Sequence, residues 1–306
     1  MRFRSFITER ASKDITEVEL SNDVFDAILK LLGDIGGRRR DGEVKRGEIT
    51  INGSRVPAIV SFFSNQAQMN SVSDSPMFGR LETEPSTGFM HAVVINIGDL
   101  ISVSFEYITS GTRGSFSPSE RHITLNVNPV AFDFDDEMVD VDRLVKFLSR
   151  ERTIVRSTFV HEFQHLRLFA RAVGAFDRGA ITKINDKLFS AKTADDQRAA
   201  FVDYQSNPNE FNSHYEQMLH TILDDVRRMV NLKVSPPRFD ELFPTRHAFE
   251  DYVKKYHVAK VFLHGLKPNI ADNLDRRIRG LYDELSKAGD GPSLKKKLND
   301  GFFRGK

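Results

Sequence analysis

Hydrophobic positions along the chain change period twice. Val24, Phe25, Ile28, Leu29 and Leu32 recur at helical spacing, which predicts a first helix over Asn22–Leu32, capped by Ser21 and closed by Gly33. "GGRRRDGEVKRG" follows as an exposed loop. From residue 47 apolar and polar positions alternate in "GEITINGSRVPAIVSFF", where Asn52-Gly53 marks a hairpin turn. Further strands are expected at 91–97, 101–107 and 122–127, separated by polar Gly/Ser/Pro-rich connections. The 64–88 connection is long for a compact domain. After "NPVAFDFDDE" the pattern turns helical, with helices near 138–150, 152–173, 195–203, 208–231, 246–264 and 271–287. A strand-rich first half feeding a helical second half is an α+β pattern. It divides into a helix-plus-sheet layer over 1–135 and a helical part over 136–306, read as layers of one continuous domain.

Composition narrows the chemistry. The 306 residues contain no cysteine, so thiol nucleophiles and Cys-type zinc sites are excluded, and any metal must be held by His, Asp or Glu. A net charge of +1 supplies no whole-protein field toward nucleic acid or membrane. The basic clusters at 36–46 and 294–298 are interrupted by acids or lie at a loop or tail, and read as solvated surface. With no signal-peptide pattern and no apolar run of membrane-spanning length, a soluble, cytoplasmic protein is expected.

The segment "ERTIVRSTFVHEFQHLRLFARAVG" carries the candidate chemistry. Its apolar positions Ile154, Val155, Phe159, Phe163, Leu166, Phe169, Ala170 and Val173 have helical spacing. His161 and His165 therefore lie one turn apart on one helix face. Two imidazoles so placed can both reach a tetrahedral zinc at ~2.0–2.1 Å. Zinc lowers the pKa of a water it binds toward ~7, and Glu162, beside the first histidine, is placed to take that proton. Arg167 departs from the pattern, since the position two beyond the second histidine is usually apolar in such helices.

A catalytic zinc needs a third protein ligand. Leu168 and Arg171 stand where an extended H-E-x-x-H-x-x-G-x-x-H pattern would place its Gly and third His, so the ligand must come from elsewhere. The best candidate lies in "YQSNPNEFNSHYEQMLHTILDD". There Asn207 suits a cap, Pro208 the first helical position, and Glu210, Ser213, His214 and Gln217 share a face. Glu210 can ligate the metal, with His214 or Gln217 as supporting or transition-state contacts. The same spacing is also a capping box, in which Glu210 would accept from the Asn207 backbone N–H. His214 or Glu216 as third ligand is a further alternative, although Glu216, six residues on, points to another face.

At these two segments the chain resembles zincin metallopeptidases of the glutamate-ligand type, and is similar to zincin-like peptidases encoded by bacteriophages. Those pair an H-E-x-x-H helix with a later Y-x-x-x-P-x-E-F/I-N-A segment. The matching residues are "VHEFQH" at 160–165 and "YQSNPNEFNSH" at 204–214. The resemblance implies His161, His165 and Glu210 as Zn2+ ligands, Glu162 as general base, and hydrolysis of a polypeptide substrate. Ser213 replaces the usual Ala, and His214 stands where thermolysin-like relatives have an acidic residue supporting a ligand histidine. The 44 residues between His165 and Glu210 exceed the spacing in those relatives. The implied fold is a sheet preceding the active helix, with "HITLNV" as the edge strand that pairs with a peptide.

Other candidates carry less. Tyr204, Tyr215 and His220 can steady an oxyanion, but tyrosines beside an apolar helical face are more often packed. His247, His257 and His264 have no metal spacing. Asp133, Asp135, Asp136 and Glu137 lack the ligand pattern of an EF-hand, and read as a solvated helix N-terminus. From another class, a phage or bacterial structural protein with a metal-stabilised zincin-like core satisfies the same motif without proteolysis. The weakest reading is nucleic-acid association through the basic patches at 36–46 and 294–304.

Overall fold

A computed structural model of the chain describes residues 2–51, 53–69, 86–98, 101–106, 113–127, 131–132, 137–171 and 193–300. The fold is mixed, with many helices and a mostly antiparallel sheet, as the α+β pattern expects. Two compact units are distinguished: Ser21–Leu166, and Met1–Leu20 together with Arg167–Lys306.

In Ser21–Leu166 the sheet comes from alternating apolar residues. Its strands are β2 (Val44–Ile51), β3 (Ser54–Met69), β4 (Ser86–Ile97), β5 (Ile101–Glu106), β6 (Gly114–Ser117) and β7 (His122–Asn126), in the order β2-β3-β4-β5-β7-β6. All neighbours are antiparallel except β5 and β7, which pair in parallel. β2 and β3 form the expected hairpin, with Ile51 opposite Ser54 and Gly53 at φ 76°; Asn52 lies outside the described residues. Both ends of the expected 64–88 connection are strand, because β3 runs on to Met69 and β4 starts at Ser86, with Met69 opposite Ser86; residues 70–85 lie outside the described residues. A two-stranded pair, β1 (Arg38–Arg39) with β8 (Val139–Asp140), lies apart from this sheet.

The sheet corrects one sequence reading. "HITLNV" is not the edge: β7 sits between β5 and β6. The edge on that side is β6, inside a Gly/Ser-rich stretch that reads as a connection because Ser115 and Ser117 lack the apolar side chains by which a strand is recognised.

The first helix is also longer than its apolar stripe suggests. α1 spans Arg2–Ile35, so Ser21 is a buried mid-helix residue rather than a cap. Ile15 and Val18 extend the buried stripe N-terminally. Its end lies beyond Gly33, at Gly36, whose φ of 45° and N–H to Leu32 O (2.9 Å) make the left-handed stop. Arg39 donates to Ile35 O and Gly36 O at 2.5 and 2.6 Å and pairs with Glu43, so part of the basic 36–46 segment serves the helix C-terminus.

Two helices complete this part of the chain. α2 (Val141–Arg150) is capped by Asp140, which accepts from the Arg143 N–H. α3 spans Arg152–Arg171. Phe159 packs on Phe25 of α1 (5.4 Å between ring centroids), and Phe25 on Phe105 of β5 (6.4 Å). Arg156 pairs with Asp26 and lies over the Phe25 ring. Ile154, counted in the apolar stripe, is 48% exposed instead.

The other unit is helical. It contains α4 (Ala194–Gln205), α5 (Pro208–Asn231), α6 (Phe239–Leu242), α7 (Arg246–Val253), a π-helical segment (Lys254–Val258), α8 (Ala259–Val261), α9 (Pro268–Ser286) and α10 (Gly291–Asp300). Thr193 and Thr245 cap α4 and α7. The expected 246–264 helix is thus interrupted, first by the π-turn and then at Phe262. Phe239, Phe243, Phe249, Tyr252 and Tyr282 form an aromatic cluster among α6, α7 and α9. No helix among the described residues is long and apolar enough to cross a membrane.

Candidate metal centre

α3 places the two histidines as their spacing requires. His161 and His165 are buried, with Nε2 atoms 3.2 Å apart and rings nearly edge-on at 77°. Two ligands at ~2.05 Å from one tetrahedral ion are separated by roughly 3.3 Å. Both imidazoles are therefore already set to share an ion.

α5 starts where its cap residues direct. Asn207 Oδ1 accepts from the Asn209 N–H at 3.0 Å, and Pro208 occupies the first helical position. The Asn207 N–H donates to Tyr204 O at 3.0 Å. That occupies the donor which a capping box would offer to Glu210, so the cap reading of Glu210 fails. The side chain is instead buried, and its carboxylate belongs to a three-residue group with the histidines. The ligand atoms of His161, His165 and Glu210 all lie within 4.8 Å of one another. Two imidazoles and a carboxylate, buried and convergent, fit a divalent cation.

Glu162 is buried on the next position of α3. Its methylene stem lies against edge strand β6 at Gly114, where an added Cβ would be 3.2 Å from Glu162 Cγ and 2.7 Å from the Thr158 methyl. Only glycine lets the β6 backbone approach the helix this closely. Gly114 is a site-proximal residue that sequence reasoning missed, and the glycine itself was the available signal.

Other candidates are placed differently. His214 is half-buried, with Nδ1 3.5 Å from Gln217 Oε1 and its ring beside Tyr204 and Phe262. It is not among the three grouped ligands. Tyr215 is fully buried, stacked on Phe211 and covered by the Arg277 guanidinium 4.5 Å from its ring centroid. His220 is buried, and Tyr204 is half-buried at the end of α4. His247 is exposed beside Asp251, and His264 stacks on Phe201. Asp133, Asp135 and Asp136 lie outside the described residues, and Glu137 is exposed.

Glu216 is also not in the ligand group. It is buried, with Oε2 3.3 Å from Arg167 Nη1, while Arg167 Nη2 lies 2.7 Å from Glu17 Oε1. The charge that breaks the apolar pattern of α3 is thus enclosed by two carboxylates.

Buried His257 sits in the π-turn. Its Nδ1 faces Thr221 Oγ1 at 3.1 Å, and its Nε2 lies 3.3 Å from Tyr252 Oη and 3.4 Å from Asp225 Oδ2. Burial lowers the His257 pKa, opposed by the Asp225 charge and aided by Lys260. Burial and the same carboxylate push the Tyr252 hydroxyl above the ordinary tyrosine range.

Comparisons with protein-family profiles, with curated proteins and with solved structures returned no significant match. The functional reading therefore stands on the residues themselves.

Proposed function

We propose that the chain is a zinc-dependent metallopeptidase of the glutamate-ligand zincin type, with His161, His165 and Glu210 as ligands and Glu162 as general base. The observation that carries this reading is the buried convergence of two histidines and a glutamate from distant sequence, with buried Glu162 next to His161 in the chain. A divalent cation held there would polarise a scissile carbonyl and acidify water. Glu162 accepts the proton that nucleophilic attack releases and returns it to the leaving amine. His214, four residues beyond Glu210, is assigned to stabilising charge that develops on the carbonyl oxygen. A peptide adds as a further strand along β6, whose outer edge pairs with no described strand.

The test is Glu162→Gln, which keeps the side chain's size and removes its basicity. Metal content should stay at one equivalent per chain while hydrolysis of an unfolded polypeptide falls by roughly a hundredfold or more. Undiminished hydrolysis in this variant would sink the mechanism. A wild type that holds metal yet cleaves no polypeptide would instead leave a metal-stabilised structural protein.

A further inference from the structure

We propose that Arg167 is a positioning residue for the metal ligands, acting through its buried contact with Glu216. The inference rests on the metal reading of His161, His165 and Glu210. All three charged side chains are at most 10% exposed, and the guanidinium spans 2.7 Å to Glu17 Oε1 and 3.3 Å to Glu216 Oε2. Buried ion pairs often stabilise no better than apolar residues of equal volume, and their best-attested use is to fix register. Register is what a ligand set drawn from two helices requires.

Arg167 follows His165 by two residues on α3, and Glu216 follows Glu210 by six on α5. At 1.5 Å rise per residue the ion pair stands about 3 Å along the axis from one ligand and about 9 Å from the other. The guanidinium is a planar fork with donors in fixed directions, so its contacts set both the height and the rotation of the last turns of α3 against α5. An apolar side chain there would allow sliding. Metal coordination tolerates deviations of only about 0.2 Å in ligand distance. Fixing register also accounts for a charged residue at a position that patterning would make apolar.

The experiment compares wild type with Glu216→Gln, Arg167→Lys and Glu17→Gln, using His161→Ala as the ligand control. Zinc affinity, the visible spectrum of the cobalt(II)-substituted protein and the melting temperature of the metal-free protein are measured for each. Glu216→Gln and Arg167→Lys should weaken zinc about tenfold and alter the cobalt spectrum. Glu17→Gln, on a helix that carries no ligand, should lower the melting temperature and leave the cobalt spectrum as in wild type. If Glu216→Gln and Arg167→Lys change only the melting temperature, the three charges are merely structural and the inference is overturned. If wild type takes up neither metal, or His161→Ala takes up both undiminished, the metal reading itself falls and this inference with it.

Discussion

Each side chain of the His161, His165 and Glu210 group makes a separate claim on an ion held there. His161→Ala and Glu210→Ala should each reduce bound metal, from about one equivalent toward none, by elemental analysis after dialysis. Retention of metal by Glu210→Ala alone would return the third-ligand position to another donor. The pairing of His161 with His165 was legible from spacing alone, because one helical turn is a local property of the chain. Glu210 was not decidable that way. A capping glutamate and a ligand glutamate occupy the same third helical position; the Asn207 N–H donates to Tyr204 O, which sets the cap aside, and only the fold brings Glu210 to the histidines. The residue scale also holds a titration unrelated to metal. A histidine whose folded pKa is lowered leaves its proton to the unfolded chain, so its contribution to stability is full above pH 6.5 and is lost as pH falls below it. His257→Gln should therefore flatten the decline in melting temperature between about pH 7 and about pH 5, whatever it does to the value at neutrality. An unchanged slope would show that His257 protonates freely in the folded protein.

Among the elements, the contact of β6 with α3 is the most constrained. A methyl group added at Gly114 would sit 2.7 Å from Thr158 Cγ2, closer than carbon atoms pack. Gly114→Ala should cost about 1–3 kcal/mol of stability by overpacking. Thr158→Ser removes that methyl and keeps the hydroxyl that donates to Ile154 O, so adding it should restore part of the loss. Thermal melts of the two single variants and the double variant measure the coupling, and strict additivity would rule out this clash as the cause. The element itself escaped sequence reading because a strand of Gly, Ser, Phe and Ser lacks the alternating apolar signal. α1 escaped for a related reason. Helices were delimited by local stop and cap residues, and Ser21 and Gly33 supplied plausible ones that the buried stripe from Ile15 onward overrides.

At the scale of the whole molecule, a metal that binds only the folded chain stabilises it by mass action. Zinc at a hundred times its dissociation constant contributes about 2.7 kcal/mol. Removing it with a chelator should lower the melting temperature, restoring zinc should reverse the loss, and His165→Ala should be insensitive to both. The α+β class, the hairpin at 52–53, the course of α5 and the paired histidines were all determined by the sequence itself, because each depends on periodicity and turn chemistry within a few residues. Tertiary structure alone decided the rest. Glu210 is 45 positions beyond His165 and joins it only through folding. Likewise Arg167, unexplained along its own helix, is accounted for by Glu17 and Glu216, carboxylates supplied from 150 positions earlier and 49 positions later in the chain. Periodicity reports which face of an element is apolar; it carries no information on which distant side chain will meet a polar one there.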